Sequence, residues 1–217
     1  MKEFKIRCSA IGQIMTNSRS KKETLSKTTQ TFLDGWIKEQ IYSRRKKIDN
    51  KYLQKGLVVE DDSIDFVAEQ LDYGLLMKNE EYFENDFLTG TPDVILKTHV
   101  IDVKNSWDCF TFPLFETEVP NKDYFYQAQG YMALTGLDSY KLIYTLMDTP
   151  QYLIDKEFKY NNFYDLDYDV FEKDYKYNDV DVKNRIKVFD IEKDEEVVDA
   201  IKVRVAECRE YIANRIK

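Results

Sequence analysis

Apolar side chains return along this chain at two spacings. Over residues 30–47, Phe32, Trp36 or Ile37, and Ile41 fall at helical intervals, and the run ends in the basic cluster Arg44-Arg45-Lys46-Lys47. Residues 52–71 place Leu57, Ile64, Val67 and Leu71 on one stripe, which predicts a further helix. Residues 122–136 carry Tyr124, Gln127 and Tyr131 at i, i+3 and i+7, again one helical face. Ser9 stands as an N-cap candidate ahead of Ile11 and Ile14, a short helix. A long amphipathic helix is expected over 194–217, acidic first and basic last, as the helix dipole favours. Other segments read as strands: 92–97 and 99–105 as a hairpin, 140–148 and 185–191 as single runs, 73–79 and 81–90 as strands with turns. Residues 17–28 are polar and read as a loop, while 155–181, rich in Asp, Tyr and Asn, carries no period that assigns it. Helices flanking a central mixed β-sheet make a single α/β domain.

Composition narrows the chemistry. A chain of 217 residues can bury a sizeable core in one domain. No apolar run nears the ~20 residues that cross a bilayer, and the basic start lacks the apolar stretch of a signal peptide, so no membrane partner is expected. Cys8, Cys109 and Cys208 are far apart and form no CxxC pair, which speaks against zinc and iron–sulfur sites and for a reducing compartment. The net charge of −8 hides an asymmetry. Residues 1–55 hold 14 Lys and Arg against 5 Asp and Glu, and the remainder holds 18 against 35. Solvated faces on both parts account for this, as does a basic arm for a polyanion. The single histidine, His99, falls between the two hairpin strands and reads as an exposed turn residue. A Ser-His-Asp triad would have to use it, and HExxH zinc chemistry needs two. Hydrolysis here would rely on carboxylates, lysine and metal.

Four short patterns then fall in order: Gly56-Leu57-Val58-Val59-Glu60, Gly90-Thr91-Pro92-Asp93, Asp102-Val103-Lys104, and Gln127-Ala128-Gln129-Gly130-Tyr131. Each alone is weak; an Asp-x-Lys is most often a surface ion pair on a strand. On a strand, residues i and i+2 share a face, so Asp102 and Lys104 project together. The paired strand can bring Asp93 beside Asp102, and Glu60 can join them from a preceding helix. Three carboxylates and a backbone carbonyl make an all-oxygen set, which suits Mg²⁺ or Mn²⁺. A lysine beside them suits an anionic substrate.

These patterns resemble the PD-(D/E)xK nuclease superfamily, in its RecB-like branch and its phage lambda exonuclease type, also called the YqaJ-like viral recombinase. The residues that carry the resemblance are "KGLVVEDD", "GTPDVI", "IDVKNSW" and "YFYQAQGYM", with "SAIGQIMT" similar to the Ser-led helix that opens these nucleases. The resemblance runs from about Ser9 to Asp148. It implies a restriction-endonuclease-like core over 56–148, with a basic helical part over 1–55 before it and an elaboration over 149–217 after it, in one domain. It implies Glu60, Asp93, Asp102 and Lys104 as catalytic residues. Asp93, Asp102, the carbonyl of Val103 and Glu60 would hold one or two Mg²⁺ or Mn²⁺ ions. Gln127 and Tyr131 would support the site and contact the DNA backbone, and Ser9 with Arg7, Lys5 or Lys2 would meet a 5′-phosphate.

The function implied is metal-dependent 5′-to-3′ digestion of linear double-stranded DNA. The 3′ single strands produced would serve recombination through a single-strand annealing recombinase. A homo-oligomer, such as a trimer, and the cytoplasm of a bacterial or phage-infected cell go with it. A structure- or sequence-specific endonuclease of the same superfamily and a catalytically inactive DNA-binding relative remain as alternatives. Two departures stand out: the strand acid is Asp102 where the exonuclease type often has Glu, and the cysteine cluster of some RecB-like nucleases is absent, so no iron–sulfur cluster is expected.

Overall fold

The computed structural model describes residues 2–47, 50–160 and 166–217. Strand β1 (Ile6–Arg7) leads through a 3-10 turn (Cys8–Ala10) into the short helix α1 (Ile11–Ile14). Helices α2 (Lys27–Tyr42), α3 (Lys51–Val58) and α4 (Glu60–Gln70) follow. Then come β2 (Phe83–Glu84), β3 (Leu88–Gly90), β4 (Val94–Ile95) and β5 (Val100–Asn105). Helix α5 (Lys122–Thr135) precedes β6 (Ser139–Thr145), and α6 (Gln151–Tyr160), α7 (Tyr168–Lys173), β7 (Ile186–Glu192) and α8 (Glu195–Arg215) complete the order.

The expected central sheet is present as two. A three-stranded sheet runs β1-β3-β2 and a four-stranded sheet β4-β5-β6-β7. In the larger one β5 lies antiparallel to β4 and parallel to β6, and β7 lies antiparallel to β6. A parallel pair needs a crossover, which α5 provides. One core unites α1, α2, α5, α8 and one face of the sheet around Ile11, Leu33, Met132, Leu142 and Ile201. A second lies under α4, around Ile64, Val67, Val94, Ile101 and Ile143.

Local chemistry sets the element ends. Side chains of Ser26, Asn50, Asn121 and Asp194 accept backbone N–H groups at the starts of α2, α3, α5 and α8. Gly136 ends α5 in the left-handed region, where glycine has no Cβ penalty. The packing of α5 on the first turn of the chain is tight: a Cβ on Gly130 would lie 2.5 Å from Ile11 Cδ1 and 2.9 Å from Cys8 Sγ. Cys8 and Cys208 are buried and Cys109 is exposed.

Four sequence expectations are corrected. The helix over 52–71 is two helices, broken at Val59 (φ −98°, ψ 9°), so that Glu60, Asp61 and Asp62 form a new acidic first turn facing a helix dipole. Residues 73–79 form no strand; at their end Asn79 donates its backbone N–H to Asp93 O. Ser9 lies inside the 3-10 turn and makes no capping hydrogen bond. His99 is half-buried, set against Tyr73 Oη at 3.3 Å and Thr98 Oγ1 at 2.9 Å. Of the stretch without a period, residues 161–165 lie outside the described residues, and α6 and α7 flank them. Among the described residues no helix is long and apolar enough to cross a membrane.

Lys55 on α3 is fully buried and donates to Trp107 O at 2.9 Å. Burial lowers its ammonium from 10.5 to about 7, against the opposing charges of Asp108 and Asp148. Between these values the unfolded chain holds the proton and the folded chain does not. The burial cost is therefore complete below pH 7 and fades as pH rises toward 10.5. The stability of the wild type relative to Lys55→Met is expected to grow by about 2–3 kcal/mol between pH 7 and 9.5 in urea unfolding. A flat difference would show that Lys55 keeps its proton in the fold as it does in the unfolded chain.

Candidate active site

β5 is where the site begins. Its ladder to β4 comprises Val94↔Ile101 and Ile95↔Val100, so it has run out by Val103. The free Val103 N–H is taken by Asp93 Oδ2 at 2.9 Å, which ties the loop before β4 to the middle of β5. On the other side Asp102 stands opposite Leu142 and Lys104 opposite Tyr144, so β6 fixes the register of both.

Asp102 is fully buried. Its Oδ1 accepts from Gln127 Nε2 at 3.1 Å. Its Oδ2 is in ion-pair contact with Lys104 Nζ but makes no hydrogen bond of acceptable direction. Burial, then the charge of Asp102, pushes the Asp93 carboxyl well above the ordinary range; Lys104 and the Val103 N–H oppose this, and Glu60 adds to it. Burial alone would lower the Lys104 ammonium, but the charges of Asp102 and Asp93 outweigh it and hold the group above its usual value. The Tyr124 ring lies 5.1 Å from Lys104 Nζ, a further contact that favours the cation.

Behind this pair, Tyr131 is buried and donates from Oη to Thr91 O at 3.0 Å. A Cβ on Gly90 would come within 2.7 Å of the Tyr131 ring, so glycine is what allows the Gly90–Asp93 loop to lie on α5. Gln127 and Tyr131, both buried, thus turn their polar groups to Asp102 and to the Gly90–Asp93 loop.

Glu60 opens α4 at the edge of the site. Its backbone is held by a relay: Thr145 Oγ1 donates to Asn105 Oδ1 (2.7 Å), Asn105 Nδ2 to Ser63 Oγ (3.1 Å), and Ser63 Oγ to Glu60 O (2.7 Å). Its carboxylate pairs with Lys78, Oε2 to Nζ 3.1 Å. Sequence reasoning gave no role to Lys78, Asn79, Asn105, Ser63 and Thr145, of which only Asn105 lies within one of the motif stretches. Asn79 bonds Asp93 O through its N–H (2.7 Å) and Pro92 O through Nδ2 (3.0 Å).

Arg7 and Ser9 are exposed on the flanking turn, with Arg7 opposite Thr89 in the β1–β3 pair and buried Cys8 between them. The turn therefore flanks the strand that feeds Gly90. Lys5 pairs with Glu84 at 3.5 Å.

Among the described residues no three Asp, Glu, His or Cys side chains converge closely enough to form a ready metal cage. Lysines occupy the positions instead, Lys104 against Asp102 and Lys78 against Glu60. The donors nonetheless suit a hard divalent cation. They are oxygens, and the buried Asp102 Oδ2 has only the Lys104 ammonium against it.

No family model matches this sequence, and no curated protein matches it. Among solved structures it is similar to a phage-related exonuclease from Haemophilus somnus 129PT, with 30% identity and a TM-score of 0.82 over 99% of this chain and 96% of that one. It shares its fold with the alkaline exonuclease LHK-Exo of Laribacter hongkongensis, alone (15% identity) and in complex with dAMP (16%). The TM-score is 0.66 for both, over 98% of this chain and 89% of theirs.

Proposed function

Since this chain belongs to the PD-(D/E)xK nucleases of the phage lambda exonuclease type, we propose that it is a divalent-metal-dependent DNA exonuclease that digests linear duplexes from 5′ to 3′. One observation carries the proposal: Asp93, Asp102 and Lys104 meet at the β4–β5 junction with Gln127 on Asp102 and Val103 N–H on Asp93.

Asp93, Asp102, the Val103 carbonyl and Glu60 are the residues that would hold Mg²⁺ or Mn²⁺. When bound, such an ion supplies charge stabilisation at the phosphodiester and eases deprotonation of the attacking water. The chain's own groups do the rest. Gln127 fixes one Asp102 oxygen and leaves the other to the Lys104 ammonium. Tyr131 fixes the loop that delivers Asp93. Lys104 is held as a cation, which suits it to the negative charge that grows on phosphate oxygens as the water oxygen bonds to phosphorus and the ester oxygen leaves. A basic first quarter on an acidic body gives the duplex a place to approach. The family supports 3′ single strands handed to an annealing recombinase and a ring of identical copies, such as a trimer, around the duplex.

Digestion in Mg²⁺ of 5′-phosphorylated linear, 5′-hydroxyl linear and covalently closed circular DNA tests this. The phosphorylated linear duplex is expected to be consumed first and the circle left whole. Circles cut as fast as linear DNA would make the protein an endonuclease, and binding without cleavage of any form would make it an inactive relative.

A further inference from the structure

Lys78 is absent from the motifs, yet it is the residue that meets Glu60. Its Nζ lies 3.1 Å from Glu60 Oε2 and 2.9 Å from Asp61 Oδ1, at the N-terminus of α4. The backbone delivers it there. Asn79, the next residue, is bound to both Asp93 O and Pro92 O, so the bonds that hold the Asp93 loop also set where Lys78 stands. The Glu60 backbone is equally fixed, by the relay through Ser63, Asn105 and Thr145. Only side chains are free to rearrange.

We infer that Lys78 is an exchangeable counter-ion of Glu60: in the metal-free protein its ammonium holds the carboxylate, and an incoming divalent cation takes that carboxylate from it. The inference rests on the metal-dependent reading of this site. It accounts for two of the acids being paired with lysines, Glu60 with Lys78 and Asp102 with Lys104. The two lysines differ in one respect. Lys104 is enclosed with Asp102, whereas the Lys78 side chain is 41% exposed, so releasing it returns an ammonium to water at small cost. Metal affinity is then a competition between the divalent ion and one lysine, and salt that weakens the Lys78–Glu60 pair shifts it.

Two measurements on the DNA-free protein test this. In calorimetric titration with Mn²⁺, Lys78→Gln is expected to bind roughly twofold to fivefold more tightly than wild type, the size of one partly exposed ion pair. Lys97→Gln, which removes an equal charge from the exposed tip of the β4–β5 hairpin, is expected to bind as wild type does. In protein carrying ¹³C-lysine, the Lys78 Cε signal is expected to move on addition of Mg²⁺, with the midpoint that calorimetry gives for that ion. Unchanged or weaker Mn²⁺ binding by Lys78→Gln, an equal gain in Lys97→Gln, or a Lys78 signal that ignores Mg²⁺ would overturn the inference alone. No Mn²⁺ heat in the wild type would overturn the metal reading and the inference with it.

Discussion

Lys104→Ala is expected to lower the single-turnover rate on a 5′-phosphorylated duplex by about 10²–10³, the usual loss when a charge stabiliser leaves a reaction path. Mn²⁺ binding, and DNA binding measured in Ca²⁺, should be kept. The reasons are geometric. Lys104 shares a strand face with Asp102, touches its Oδ2, and faces the Tyr124 ring, all on a strand whose register β6 fixes. The competing account makes Lys104 a mere partner that neutralises Asp102. On either account the variant leaves a buried carboxylate uncompensated, at about 3–5 kcal/mol of stability; only the competing account has it cleave near the wild-type rate whenever folded. The rate, measured where thermal unfolding shows the variant folded, separates the two, and near-wild-type cleavage by folded Lys104→Ala would remove the main support for the nuclease chemistry.

Asp93→Asn is expected to do two opposite things. It should abolish Mn²⁺ binding, and it should make the metal-free protein more stable than wild type. Asp93 is held among Asp102 and Glu60 with its carboxyl pushed above the ordinary range by burial, which means its charge is a burden on the fold until a cation arrives. Asparagine keeps an oxygen for the Val103 N–H and sheds the charge. Relief of about 1–3 kcal/mol would appear as a rise in melting temperature, at about 2–4 °C per kcal/mol for a chain of this length. Added Mn²⁺ should raise the wild-type melting temperature and leave the variant's unmoved. A variant less stable than wild type that still responds to Mn²⁺ would make Asp93 a structural acid.

Much of this was legible in the sequence because periodicity is a local signal. The hairpin over β4 and β5, the α5 helix, the β6 and β7 strands and the long α8 helix each follow from spacing within a single segment. The four motif residues, Glu60, Asp93, Asp102 and Lys104, could be named because they sit at fixed offsets beside recognisable glycines, a proline and a strand. The break at Val59 was not legible. The stripe of Leu57, Ile64, Val67 and Leu71 runs through it, and only the three acids after it mark a new helix start. Lys78 and Asn79 were misplaced on a strand because their partners, Glu60 and the Asp93 loop, are remote in sequence. Asn105, Ser63 and Thr145 escaped for the same reason: each hydroxyl or amide looks like an ordinary surface group until the fold buries them together.

β5 is pinned from both sides, by Val94↔Ile101 toward β4 and by Asp102↔Leu142 and Lys104↔Tyr144 toward β6. Side chains alternate between faces along a strand, so gaining or losing one residue within it would turn both catalytic candidates to the opposite side. A two-residue change would restore the face but displace the carboxylate by about 7 Å along the sheet, out of reach of Gln127. Near β5, length is therefore free to vary outside the strand, at the hairpin tip around residues 96–99 or in the loop that follows Asn105. Insertions and deletions accumulated over lineages should collect in those places, and the six residues of β5 should behave as a word whose spelling can drift but whose length cannot.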